Sequence, residues 1–111
     1  RQALICDIMP CSKEVTMGGG VAVSFRDRNI PRRSYVDKII DLVKKSDYRY
    51  QFEAQDKGGN DGGDLILSST PFDWCQIGVP ISNYHSPKEK ANKLDIENAI
   101  KVYKYLLKRI K

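Results

Sequence analysis

Apolar residues in this chain change their period repeatedly, and that alternation restricts the fold more than any single residue does. Val36, Ile39, Ile40 and Val43 recur at i, i+3, i+4, i+7, the spacing of one buried helix face. Asn29, Pro31 and Ser34 stand before them as start signals, and the helix is expected to run to about Ser46. Lys38, Asp41 and Lys44 fall on the opposite, solvated face. Tyr48, Tyr50, Phe52 and Ala54 then alternate with polar residues as a half-buried strand does. Packing of that strand against a helix outweighs a base-stacking platform as its reading. Ala3 to Asp7, Val21 to Phe25 and Trp74 to Ile81 read as further strands, and Asp64 to Leu67 as a short helix. Asp95 is the expected cap of a last helix, with Ile96, Ala99, Ile100, Tyr103, Leu106, Leu107 and Ile110 as its one apolar face. The order strand, strand, helix, strand, helix, strand, helix predicts a layered α/β domain, a sheet with flanking helices.

The 111 residues suffice for one domain or a piece of one. Much of the net charge of +5 comes from Lys101, Lys104, Lys108, Arg109 and Lys111, where cations suit the negative end of the last helix. No specific nucleic-acid partner is expected from that distribution. Cys6, Cys11 and Cys75 form an odd set without C-x-x-C spacing, which points to a reducing cytoplasm rather than a disulfide scaffold. No window reads as a signal peptide or a membrane span. The chain opens on Arg1 and enters a strand almost at once, the pattern of a fragment of something longer.

Three residues stand out as carriers of chemistry. His85, the only histidine, follows the strand ending at Ile81, in the run Ser82-Asn83-Tyr84-His85-Ser86-Pro87. It is either a metal ligand or an ordinary loop residue. Asp7 ends the first strand, where ligands collect in open α/β sheets; the alternative is an acid that caps a turn. Asp61 lies in the glycine-rich run Gly58 to Gly63, either in support of a site or as a turn aspartate. Imidazole and oxygen donors suit zinc or cobalt, but a catalytic zinc takes three protein ligands and a water. Glu14, Glu53, Glu89 and Glu97 do not pair with His85 at metal-motif spacing. The Met17-Gly18-Gly19-Gly20 turn lacks the features of a phosphate loop.

From Met17 onward these motifs resemble the C-terminal part of the tetrahedral aminopeptidases. These are dinuclear metallopeptidases grouped with glutamyl aminopeptidases and the cellulase M-like proteins. The family's Leu-Gly-Lys-Gly turn and the strand ending in Asp-Arg are similar to Met17-Gly18-Gly19-Gly20 and Asp27-Arg28. Its Gly-Gly-Thr-Asp-Ala-Gly loop resembles Gly58-Gly59-Asn60-Asp61-Gly62-Gly63, and its Arg-Tyr-Ile-His-Ser loop resembles Ser82-Asn83-Tyr84-His85-Ser86. The capping run Asp95-Ile96-Glu97-Asn98 matches again. The chain departs at Ser82, where the family has arginine, at Pro71-Phe72-Asp73 in place of Gly-Val/Ile-Pro, and in a shorter loop between Asp7 and Met17.

The resemblance implies that residues 1 to 111 are the C-terminal part of a zinc-aminopeptidase-like (phosphorylase/hydrolase-like) catalytic domain. It implies two divalent metal ions, zinc or cobalt, with His85 a ligand of one and Asp7 of the other. The remaining ligands and a general-base glutamate would lie upstream of Arg1, so no catalytic residue falls within the chain and the fragment alone would be inactive. Asp61 and Tyr84 would support the site or line the substrate loop, Tyr84 mainly by packing. The whole enzyme would hydrolyse N-terminal residues from peptides in the cytoplasm as a homo-oligomer. The competing expectation is a non-catalytic α/β interaction or regulatory module.

Overall fold

A computed structural model describes residues 1 to 70 and 72 to 110. Pro71, part of the departure noted above, and Lys111, the last of the terminal cations, lie outside the described residues. The elements are β1 (Gln2–Pro10), β2 (Val21–Ser24), α1 (Arg33–Lys45), β3 (Tyr50–Glu53), α2 (Gly62–Ile66), β4 (Asp73–Ser82), β5 (Lys90–Ala91) and α3 (Lys93–Leu107). Strands are ordered β1-β4-β2-β3, with β5 on the end of β4. β1 and β4 pair in parallel over nine residues, from Gln2 opposite Asp73 to Pro10 opposite Ile81. β2 runs antiparallel to β4 and parallel to β3. The expected element order holds, apart from the two-residue β5, which is too short to leave an apolar period.

α1 and α3 cover one face of the sheet. Val36, Ile39, Ile40 and Val43 are buried, as their spacing requires, and Tyr35 joins them. They pack with Val21, Val23, Cys75 and Ile77 of the sheet and with Ala99, Val102 and Leu106 of α3. Tyr50 and Phe52 lie against the same cluster, so the aromatic alternation is packing. Tyr48 falls before β3 and meets Tyr105 edge-on at 6.2 Å. Burial raises the Cys75 thiol to about 12, the behaviour of a small core hydrophobe.

Two expectations for α3 are corrected. Its cap is Asn92, whose side chain accepts a hydrogen bond from the Leu94 N–H. Asp95 lies inside the first turn and is 1% exposed. Its carboxylate accepts from the backbone N–H groups of Gly18 (2.7 Å) and Gly20 (2.9 Å). Next to it, Asn98 accepts from Val21 N–H and donates to the Arg49 carbonyl. These bonds fix the rotation of α3, so Asp95, Ala99, Val102 and Leu106 face inward. Ile96, Ile100 and Leu107, expected in the core, are 45%, 52% and 65% exposed. They form an apolar stripe one residue round the helix, and the outer edge of β1 carries no strand among the described residues.

Asp95→Ala would leave two buried-side N–H donors without acceptors, each costing about 1–3 kcal/mol. Denaturant unfolding should therefore show a loss on the order of 3 kcal/mol, and Asp95→Asn a smaller one because its carbonyl keeps one acceptor.

Candidate functional site

The second face of the sheet carries the polar residues. Side chains alternate across a strand, and Val21, Val23, Cys75 and Ile77 take the helix-covered face. Asp7, Gly78, Ala22 and Gln51 therefore form one row on the other face, linked by their register. Gln76, Ser24 and Glu53 form the next row. Gly78 keeps the floor low, since a Cβ there would stand 2.8 Å from the Asp7 carbonyl oxygen. Asp7 is exposed. Its Oδ1 accepts from Ile8 N–H at 2.7 Å, and its Oδ2 has no hydrogen bond among the described residues.

His85 lies in the loop that leaves the carboxyl end of β4 at Ser82, beside the carboxyl end of β1, because the two strands run parallel. Its backbone is left-handed, with φ 58°, and Asn83 is likewise at 54°. The Tyr84 and His85 rings stack with centroids 3.8 Å apart. Glu89 Oε2 accepts from the His85 backbone N–H at 2.7 Å. The Tyr84 hydroxyl is held above its ordinary pKa by burial, and by the carboxylates of Asp7, Glu89 and Glu53. Imidazole nitrogen and carboxylate oxygen, both without hydrogen bonds on the relevant atoms among the described residues, are donors that fit a divalent ion. They are two donors of a larger set: among the described residues no group of three or more His, Cys, Asp or Glu could hold a metal.

The glycine-rich loop is anchored by a neighbour of the residue that sequence singled out. Asp61 is exposed and makes no side-chain cap at the start of α2. Asn60 is the connected residue. Its amide donates to Asp27 Oδ2 at 3.0 Å and to Gln76 Oε1, and its Oδ1 accepts from Gly62 N–H at 2.6 Å. Asp27 is 1% exposed, and its Oδ1 accepts from Asn29 N–H. Gly62 lies flat on Trp74 with no room for a Cβ, which seats α2 on the sheet. Beside the loop is a cavity of about 730 Å³ lined by Arg28, Asn29, Gly58, Gly59, Asn60 and others. Arg28 forms no ion pair among the described residues.

Sequence reasoning also passed over Glu53. It is 7% exposed, and neither carboxyl oxygen has a hydrogen-bond partner among the described residues. Burial raises its pKa to about 7, opposed by the Ser24 hydroxyl and reinforced by Asp27. That hydroxyl donates to the Arg26 carbonyl instead. The folded protein holds this proton to higher pH than the unfolded chain, whose glutamate titrates near 4.5. Stability therefore falls as pH rises from about 4.5 through about 7. Glu53→Gln should match the parent at pH 4 and exceed it at pH 8 by up to about 3 kcal/mol. Equal unfolding midpoints at pH 8 would show that the carboxyl is not desolvated.

Known proteins share this fold and sequence pattern. The family model for M42 glutamyl aminopeptidases matches residues 3–102. An inferred aminopeptidase of Acetivibrio thermocellus is 34% identical over 90 residues, which is 80% of this chain and 27% of that protein. A TET aminopeptidase of a marine-sediment thaumarchaeon superposes with a TM-score of 0.89 at 23% identity, over 97% of this chain and 32% of that one. The TET1 peptidase of Pyrococcus horikoshii, which assembles into a tetrahedron or a large octahedral shell, superposes at 0.81 with 23% identity, over 96% and 32%. The chain spans about a third or less of the length of these relatives. It belongs to the M42 glutamyl aminopeptidase family.

Proposed function

We propose that residues 1 to 111 are the C-terminal part of the catalytic domain of a metal-dependent aminopeptidase that removes N-terminal residues from peptides. The observation that carries this reading is the parallel pairing of β1, which holds Asp7, with β4, whose carboxyl end leads into the His85 loop, so that both candidate ligands belong to adjacent strands running the same way. Asp7, through Oδ2, and His85, through a ring nitrogen, would each hold one of two divalent ions, zinc or cobalt. Bound there, such ions polarise the scissile carbonyl and lower the pKa of a water. Tyr84 holds the His85 ring from one face. Gly78 and Ala22 leave the space into which the end of a peptide fits. The cavity beside Asn60, with the Arg28 guanidinium that forms no ion pair among the described residues, suits an anionic side chain. Asp61 would line the substrate loop, held in place by Asn60.

The general base and the other ligands would come from upstream of Arg1, and the isolated fragment would then be inactive. The exposed stripe of α3 and the edge of β1, which carries no strand among the described residues, support that reading, since a larger domain would cover such surfaces. Assembly into a homo-oligomer is the corresponding proposal for the whole protein, as is a cytoplasmic location. No helix among the described residues is long and apolar enough to cross a membrane.

His85→Ala in the full-length polypeptide should lower bound zinc and cut aminopeptidase turnover at least about a hundredfold, beyond what loss of a supporting residue causes. Metal content and turnover equal to the parent would refute the ligand assignment and favour the non-catalytic interaction module.

A further inference from the structure

The run Asn83 to Glu89 is more tightly specified than an exposed loop requires. Asn83 donates from its side chain to the Lys88 carbonyl at 3.1 Å, and the Ser86 hydroxyl donates to the Asn83 carbonyl at 2.6 Å. These two bonds close the turn without touching His85. Tyr84 covers one face of the imidazole, with the ring planes 21° apart, which leaves the ring edge and its nitrogens open. What remains to be fixed is the backbone at His85, whose φ of 58° is a conformation that β-carbon-bearing residues rarely adopt. The one contact on that main chain from a side chain is the Glu89 carboxylate, which accepts the His85 N–H at 2.7 Å. An extended His85 would send the imidazole in a different direction and break its stack on Tyr84.

We infer that Glu89 is a positioning residue for the His85 imidazole, acting through the hydrogen bond from the His85 N–H to its Oε2. The inference rests on the reading of His85 as a metal ligand. It assigns the effect to an acceptor atom in a fixed place, not to the negative charge of Glu89. Glutamine keeps the acceptor and the reach but loses the charge. Aspartate keeps the charge but falls one methylene short. Alanine loses both.

The test is the zinc dissociation constant of the full-length polypeptide, measured by competition with a chromophoric chelator. Thermal unfolding of the metal-free form serves as the check on folding. Glu89→Gln should bind within about twofold of the parent, and Glu89→Ala about tenfold or more weakly, the range found for groups that orient a ligand. Glu89→Asp should weaken binding several-fold and supplies the comparison if the alanine variant does not fold. Binding unchanged in Glu89→Ala or Glu89→Asp, or as weak in Glu89→Gln as in Glu89→Ala, would overturn the inference. His85→Ala separates the two levels. If it binds zinc like the parent, the ligand reading itself fails; if it loses zinc while Glu89→Ala keeps it, only the role of Glu89 fails.

Discussion

Everything on the polar face depends on the nine-residue parallel register between β1 and β4. It sets Asp7 beside Gly78 and brings the carboxyl ends of both strands to one side, where the His85 loop begins. Because side chains alternate with a period of two, a slip of one residue would turn Asp7 toward α1 and α3 and put Cys6 in its place. The register is also what makes Gly78 necessary. The β1 backbone comes so close at this point that the floor of the site has no space for a side chain.

The two faces of the sheet are stabilised by different physics. The helix-covered face is apolar and closely filled, from Val21 and Val23 to Leu106. The other face buries polar groups, and most of them are matched: Asp27, Asn60 and Gln76 satisfy one another and tie the glycine loop to the sheet. Glu53 is the exception. A buried carboxyl without a donor is most easily tolerated as the neutral acid, and it lies one strand from Ser24, whose hydroxyl is engaged elsewhere. The polar face therefore contains both a fixed network and a group that prefers to keep its proton.

The helices and strands were legible because their periods are local. The α1 stripe and the β4 run declare themselves within a dozen residues, and the place of His85 just past a strand end follows from them. Asp7, expected at a strand end, lies inside β1 instead, because the pairing with β4 extends that strand to Pro10. What could not be read depends on partners far along the chain. Asp95 looks like a helix cap until Gly18 and Gly20, over seventy residues earlier, are seen to donate to it. The same contact turns α3 and exposes Ile96, Ile100 and Leu107, which the periodicity alone placed inside. In the glycine loop, Asp61 drew notice for its charge, whereas Asn60 has the donors and the acceptor that the fold uses. An amide with two donors is the signal that could have found it, given acceptors such as Asp27 and Gln76 nearby.

The mixed strand directions have a consequence for how such a surface can change. β1 and β4 deliver the His85 loop to one end of the sheet, while β2 and β3 run the other way and deliver Arg28 and the glycine loop to the opposite end. The two ends meet only through the rows of side chains between them. Arg28 and Gly59 lie on loops distinct from β1, which carries Asp7, and from the loop that carries His85. A lineage built on this frame is free to remodel what it grips at one end while the chemistry at the other stays put.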